Sequence, residues 1–451
     1  MLKHKEMYKS FFPLLTAIAM QQLLALSVNL VDNVMLGAYS ETALSGAALV
    51  NQIQFVLQQL TSGIGAGAAV LGAQYWGKQD IKPIRSIIAI GLKISLIAGI
   101  IFTCATVFFP RQLLGLLCND TATIEQGTRY LSLMCWTYLI YSASASLMYS
   151  LRAVQIAWIG TIMSVMTICI NACLNYCFIY GNFGAPELGV YGAAIATLTS
   201  RVVELIVIFI YVLCVDKKLK MKVTDFLCLD REYWHDYIVV AMPMMISGAM
   251  WGVAQAAQTA ILGHIGQAAI AANSIASIIF QLFSVFGMSC AQTASVVIGN
   301  TIGSGRMDLV RPYSRSMQCL FLIMGLVSSA LILIFRGVIV SFYHISEQTR
   351  ELTMSFLFVL SITNIGSCYE YPVEAGIIAG GGDTKYTAIV DNSFMWLFTI
   401  PCAALSAFVF NFSPIVTFCV LKADQLLKCI PNAIVCNRYR WIKDLTGEHK
   451  N

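Results

Sequence analysis

Residues 53–77 read IQFVLQQLTSGIGAGAAVLGAQYWG, and residues 279–303 read IFQLFSVFGMSCAQTASVVIGNTIG. The stretches lie 226 positions apart, and Ile53, Ala68, Val70 and Gly77 recur as Ile279, Ala294, Val296 and Gly303. The same offset pairs Gly37 with Gly263, Ala43 with Ala269, Arg85 with Arg311 and Phe109 with Phe335. It also pairs Thr123 with Thr349, Glu125 with Glu351 and Ala153 with Ala379. One register held without a gap from Gly37 to Ala153 marks a duplicated half-chain. In a membrane protein, duplicated halves are the mark of a transporter whose bundles move against each other around a central site.

The composition places the chain in a membrane. Of 451 residues, 58% are hydrophobic and 11% charged, where a soluble domain carries about 25% charged residues. That is too little charge to coat a water-facing surface. The apolar residues fall in runs of roughly 20 or more, the length that crosses a bilayer core. The first run, residues 12–36, follows Lys3, Lys5 and Lys9. It is longer than the roughly 7–15 apolar residues of a signal peptide, so a retained first helix is expected.

Twelve spans are predicted, at 12–37, 43–75, 84–108, 126–151, 156–180, 190–214, 235–262, 269–301, 313–343, 350–379, 386–410 and 413–436. With a cytoplasmic N-terminus, twenty Lys and Arg lie in inside segments; outside lie only Arg111, Arg129, Arg336 and Arg350. The positive-inside rule then places both termini in the cytoplasm of a multi-pass cell-membrane protein. Six spans per half is an even number, so the halves enter the membrane in the same direction, as parallel repeats. The expected organisation is an all-α membrane protein: a six-helix bundle at 1–214, a cytoplasmic linker at 215–234, a second bundle at 235–437 and a cytoplasmic tail at 438–451. The net charge of +5 reflects this topology and not nucleic-acid binding. Fifteen cysteines include no CxxC pair. Cys169, Cys173 and Cys177 share one helical face and are expected to be small, soft packing residues.

Polar residues inside apolar spans are expensive and are functional candidates. Asp32 lies in the first span, five residues before Gly37. Asn171 and Asn175 lie one turn apart on the fifth span, and Thr197 lies at similar depth on the sixth. A carboxylate, two amides and a hydroxyl at matching depth suit a Na⁺ site at Asp32, or a proton site with hydrogen-bonded support. The Asn and Thr side chains also suit plain interhelical hydrogen bonding. Glu370 and Glu374 lie one turn apart beside Pro372 on the tenth span, and the flanking Tyr369 and Tyr371 would suit an organic cation. Asn51, Gln54 and Gln58 form a polar stripe on the second span; Ser277, Gln281 and Ser284 form one on the eighth. Such stripes suggest a hydrated substrate cavity. Arg201 and Glu204, one turn apart, read as a structural ion pair.

Gly63, Gly65 and Gly67 sit in an apolar helix with no preceding strand and no Lys-Ser/Thr, so close helix packing is expected and not a phosphate loop. The run from Gly380 to Gly382 reads as a helix stop and a tight cytoplasmic turn. With no nucleotide motif, transport energy must come from an ion gradient or the substrate's own gradient. Neither HExxH nor a paired-aspartate metal motif is present, so no enzyme activity and no cofactor are expected.

Residues 31–37 (VDNVMLG), 73–77 (AQYWG), 171–175, 180–189 (YGNFGAPELG), 192–197 (GAAIAT) and 380–384 (GGGDT) resemble the multidrug and toxic compound extrusion (MATE) family of secondary transporters, bacterial type. The resemblance covers essentially the whole chain. It implies a V-shaped pair of six-helix bundles that exports drug-like, often cationic compounds in exchange for Na⁺ or H⁺. It also implies a cation site at Asp32, Asn171, Asn175 and Thr197. The expected partners are small organic substrates and membrane lipids, with a monomer as the working unit. The sequence departs from the family pattern in two places. Many members carry a second carboxylate where Asn175 stands. Many carry a Glu in the seventh span, where this chain has no acid between 242 and 262, and Ser247 and Gly248 occupy the region. Glu370 and Glu374 stand as candidate substitutes. The competing function is a flippase for lipid-linked saccharides of the same broad superfamily, which would use basic residues within spans: Lys93, Arg201, Lys422 and Lys428.

Overall fold

The computed structural model describes residues 5–118, 120–227, 230–341 and 345–447. Among them there is no strand. Six long helices come from the first half: α1 (Lys5–Tyr39), α2 (Glu41–Gly77), α3 (Ile81–Phe108), α4 (Thr121–Ala153), α5 (Trp158–Tyr180) and α6 (Val190–Val215). The second half supplies α7 (Arg231–Ile265), α8 (Gln267–Gly303), α9 (Met307–Ser341), α10 (Glu347–Ile378) and α11 (Thr384–Val409). All eleven are long and apolar enough to cross a bilayer. The predicted twelfth span, α12, is three consecutive pieces: Pro414–Lys422, Asp424–Leu427 and Cys429–Arg438. The joints at Ala423 and Lys428 keep helical dihedrals. Pro431 has no N–H, so the carbonyl of Leu427 has no intrahelical donor there.

The sequence repeat is also a repeat of helix starts. Glu41 and Gln267, Ile81 and Met307, Thr121 and Glu347, and Trp158 and Thr384 each lie 226 residues apart. The register of the sequence repeat is thus realised in where the helices begin, while their lengths differ: Ile81–Phe108 has 28 residues and Met307–Ser341 has 35.

The helices pack as two compact units: Thr16–Trp76 with Asp80–Met245, and Ile246–Asn451 with Met1–Leu15 and Gly77–Gln79. These divisions fall inside α1 and α7, not at the 215–234 connection expected from the sequence. Each crossing point follows an intrahelical proline, Pro13 in α1 and Pro243 in α7, where one backbone hydrogen bond is lost and direction is easily changed.

In the first unit, glycines set helix contacts. A Cβ on Gly63 would lie 2.7 Å from the Met245 Cα, and one on Gly67 would lie 2.4 Å from the Ala241 Cβ. A Cβ on Gly65 would lie 2.4 Å from the Tyr149 ring. The glycine run therefore serves close packing against α7 and α4. The connection after α6 straps this unit: Lys218 donates to the Val154 carbonyl at 2.9 Å, and Arg85 to that of Leu219 at 2.8 Å.

In the second unit, Met7, Phe11 and Leu15 of α1 are buried with Val297, Met317, Phe321 and Ile377. A second core joins Leu262, Ala276, Phe356, Leu360 and Phe418. After α12 the chain packs back onto this unit at Trp441. Trp441 is fully buried, and its ring fills the space where a Cβ on Gly381 would stand. Gly382 adopts φ of 101°, a turn conformation that favours glycine.

The cysteines of α5 correct an expectation. Cys169 and Cys173 are exposed, and Cys177 is half-buried. The helix buries Met163, Thr167, Asn171, Asn175 and Ile179 instead. That stripe at three- to four-residue spacing turns the cysteines outward, so they are not packing residues between helices.

Candidate cation site

Asp32 is buried on α1, with Leu30 and Val34 exposed on the opposite side of the same helix. It therefore points into the first unit. There it meets the buried stripe of α5. Asn175 Nδ2 donates to Asp32 Oδ1 at 2.5 Å and to Asn171 Oδ1 at 3.0 Å. Asn171 Nδ2 donates to Thr197 Oγ1 on α6 at 3.2 Å. The i,i+4 spacing of the two asparagines stacks both amides on one face, which is why three helices can be joined by one chain of hydrogen bonds. All four residues of the expected cluster are brought together.

One atom in the chain is left over. Asn175 Oδ1 is buried and has no hydrogen-bond partner among the described residues. A free amide oxygen beside a carboxylate is the donor set a small hard cation takes. Rotating the Asn175 amide by half a turn would present that oxygen to a cation or proton on Asp32.

Sequence reasoning missed Tyr130. This α4 tyrosine is fully buried, and its hydroxyl adjoins Thr197 and lies within electrostatic reach of Asp32. A tyrosine in an apolar span carries no depth signal of its own. Behind the site, Arg201 and Glu204 pair at 2.7 Å. Ser144 and Thr167 also donate to Glu204, at 2.8 Å and 3.1 Å. This four-residue hub is the structural ion pair expected from the sequence.

The other candidates lie elsewhere. Asn51, Gln54 and Gln58 are half-buried on α2, and Gln281 is exposed on α8. Glu370 and Glu374 are both buried on α10 of the second unit, where the turn Pro372–Ile378 is π-helical. Glu370 Oε1 lies 3.5 Å from Lys428 Nζ, and Glu374 Oε2 accepts from Asn432 at 2.8 Å. Lys428 also meets Asp391 of α11 at 2.9 Å and Asp424 of α12 at 3.6 Å. Ser247 of α7 donates to Asp391 at 3.1 Å. Asp391 and Asp424 are acids within apolar spans, a signal present in the sequence beside the more conspicuous glutamate pair.

A duplicated array of long apolar helices with buried polar groups at mid-helix defines a polytopic transport protein. The MatE family model matches residues 17–177 and 243–405, one block in each half, and the chain belongs to that family of multidrug and toxic compound extrusion transporters. It is 24% identical over 398 residues to a probable multidrug resistance protein NorM of Listeria monocytogenes, covering 87% of this chain and 86% of that protein. It is 23% identical to the uncharacterized transporter YisQ of Bacillus subtilis, covering 96% and 95%. A crystal structure of a variant of the Vibrio cholerae MATE transporter VcmN shares the fold, with a TM-score of 0.88, 16% identity and 99% of both chains covered.

Proposed function

We propose that this protein exports drug-like, cationic organic compounds across the plasma membrane by antiport with Na⁺ or H⁺ bound at Asp32. The observation that carries the reading is the buried chain Asp32–Asn175–Asn171–Thr197 with its unused amide oxygen. In this arrangement Asn175 presents N–H to the carboxylate, which suits an empty, ionised Asp32. A proton on Asp32 Oδ1 or a Na⁺ between the residues would face that N–H unfavourably. Either ligand therefore turns the Asn175 amide, and the Asn171 and Thr197 bonds must readjust with it. The cation thereby biases one arrangement of α1, α5 and α6 over another. A drug that prefers the other arrangement is released as the cation binds, because two ligands that favour different states oppose each other.

Asn51, Gln54 and Gln58 of the first unit, and separately Gln281 of the second, are the polar groups each unit offers to substrate. The names of the NorM relatives support multidrug export. The protein acts as a monomer, with both termini cytoplasmic and lipid around its exposed apolar faces. The flippase reading finds less support. Arg201 is committed to Glu204, Lys428 to its carboxylates, and Lys422 lies 5.3 Å over the Phe280 ring.

The test is export of a fluorescent organic cation from proteoliposomes, with Na⁺ and pH gradients imposed separately. Asp32→Asn should reduce gradient-driven export at least tenfold while the protein expresses and folds normally. Unchanged export by a folded Asp32→Asn protein would sink the role of Asp32.

A further inference from the structure

The third helix of each half ends differently. α3 stops at Phe108, ahead of Pro110, whereas α9 runs on to Ser341. Arg336 stands 226 residues beyond Pro110, so the longer α9 carries a cation where the first half has a helix break. Arg336 lies five residues before the end of α9, about 7–8 Å along the axis. There α9, α10 and the start of α12 leave an open groove of about 430 Å³ lined by Arg336, Met354, Ser355, Phe358, Val359 and Ile415.

The groove has a charged end and an apolar end. Glu351, Ser355 and Phe358 share one face of α10. Glu351 is exposed one turn before Ser355, toward the end of the helix, and Phe358 is exposed further in. Arg336 Cζ lies 5.4 Å from the centre of the Phe358 ring. Among the described residues no carboxylate lies within salt-bridge distance of its guanidinium, whereas Arg350 close by pairs with Glu347 at 3.8 Å. Contact with a ring leaves the charge of Arg336 uncompensated. Ser355 donates to the Glu351 carbonyl at 2.9 Å, so Arg336 is the cationic donor of the groove.

We propose that this groove is a phospholipid site selective for a headgroup with a primary ammonium. The phosphate sits on Arg336, the ammonium on Glu351, and an acyl chain lies along Phe358, Val359 and Ile415. The outer leaflet follows from the cytoplasmic N-terminus of the transport reading; the site itself does not depend on that reading.

Three observations support this occupant. First, the order of charges matches the lipid. The cation lies deeper and the carboxylate nearer the helix end, as phosphate lies deeper than ammonium in such a headgroup. Phosphatidylglycerol has the phosphate but nothing to answer Glu351. Second, an arginine that only anchored the helix end would extend to water. Side chains on α9 lean toward its N-terminus, and Phe358 lies eleven residues after the start of α10, so the guanidinium is laid inward over apolar surface. An uncompensated charge there is costly, and the planar fork of arginine suits a phosphate. Third, the apolar walls continue from the cation without a break, which fits a lipid and not a soluble anion.

The experiment is native mass spectrometry of the full-length protein released from detergent and titrated with phosphatidylethanolamine or phosphatidylglycerol. Wild type should bind one phosphatidylethanolamine about tenfold more tightly than Arg336→Gln does, the order of one charge-assisted hydrogen bond. Arg350→Gln removes the same charge outside the groove and should bind as wild type. Glu351→Gln should abolish the preference for phosphatidylethanolamine over phosphatidylglycerol. Equal binding by wild type and a folded Arg336→Gln protein would mean non-selective annular lipid and would overturn the site. A wild type that does not distinguish the two lipids would overturn the headgroup assignment, and displacement of the lipid by inorganic phosphate would overturn the lipid source. If Arg336→Gln does not fold, Arg336→Lys, which keeps the charge and loses the fork, and the exposed Glu351→Gln decide the matter. Binding is read on the isolated protein and export in vesicles, so failure of either idea is distinguishable from failure of the other.

Discussion

Replacing Glu204 with Gln tests whether the Arg201 hub is structural. The glutamate accepts from Arg201 at 2.7 Å, Ser144 at 2.8 Å and Thr167 at 3.1 Å. Glutamine keeps one acceptor oxygen and so one or two of these bonds. It leaves the Arg201 guanidinium without its carboxylate. Removing one partner of a buried pair costs about 3–5 kcal/mol, and because the Arg201 side chain is 20% exposed, water recovers part of that, which favours about 3 kcal/mol. For a unit of this size, a kcal/mol corresponds to roughly 2–4 °C, so Tm should fall by about 6–12 °C. The assay is thermal unfolding of the purified full-length protein in detergent, followed by tryptophan fluorescence. Pairing Arg201→Met with Glu204→Leu should recover most of the loss, since an apolar pair carries no desolvation penalty. Ser144 can fall back on the Tyr141 carbonyl, already 3.2 Å away. A Glu204→Gln protein that melts with the wild type but no longer couples export would refute the structural assignment. It would make Glu204 part of the ion pathway.

Gly67→Val should prevent correct assembly of the first unit, because its Cβ would lie 2.4 Å from the Ala241 Cβ and 2.7 Å from the Ala241 Cα. The loss should appear as aggregated or degraded protein on size-exclusion chromatography, whereas Gly252→Ala, with nothing within 4 Å, should elute as wild type. Asp120 caps α4 by accepting from the Thr123 amide at 3.0 Å, and the Thr123 hydroxyl and amide hold its carboxyl below the usual carboxylate range. A depressed folded value means the cap contributes above the ordinary aspartate pKa of about 4 and is lost as pH falls through the folded value. Hydrogen exchange at the start of α4 should accordingly be slow at neutral pH and quicken in acid; Asp120→Ala should be fast throughout.

Much of the architecture was legible from one dimension. Span length follows from bilayer thickness and helix rise, and the 226-residue register is read by laying the chain against itself; both are properties of the linear sequence. The depth of Asp32 and the i,i+4 placement of Asn171 and Asn175 follow from the same helix geometry, so the first cluster could be assembled before the fold was seen. What one dimension does not carry is the direction in which each helix face points relative to its neighbours. That direction turned Cys169 and Cys173 outward and brought Tyr130 to Thr197. It also moved the start of α1 into the unit built mainly from the second half. Above all, it gathered Glu370, Glu374, Asp391 and Asp424 around Lys428. Those five residues come from three separate stretches of chain, and only the packing of α10, α11 and α12 decides that their charges must be counted together.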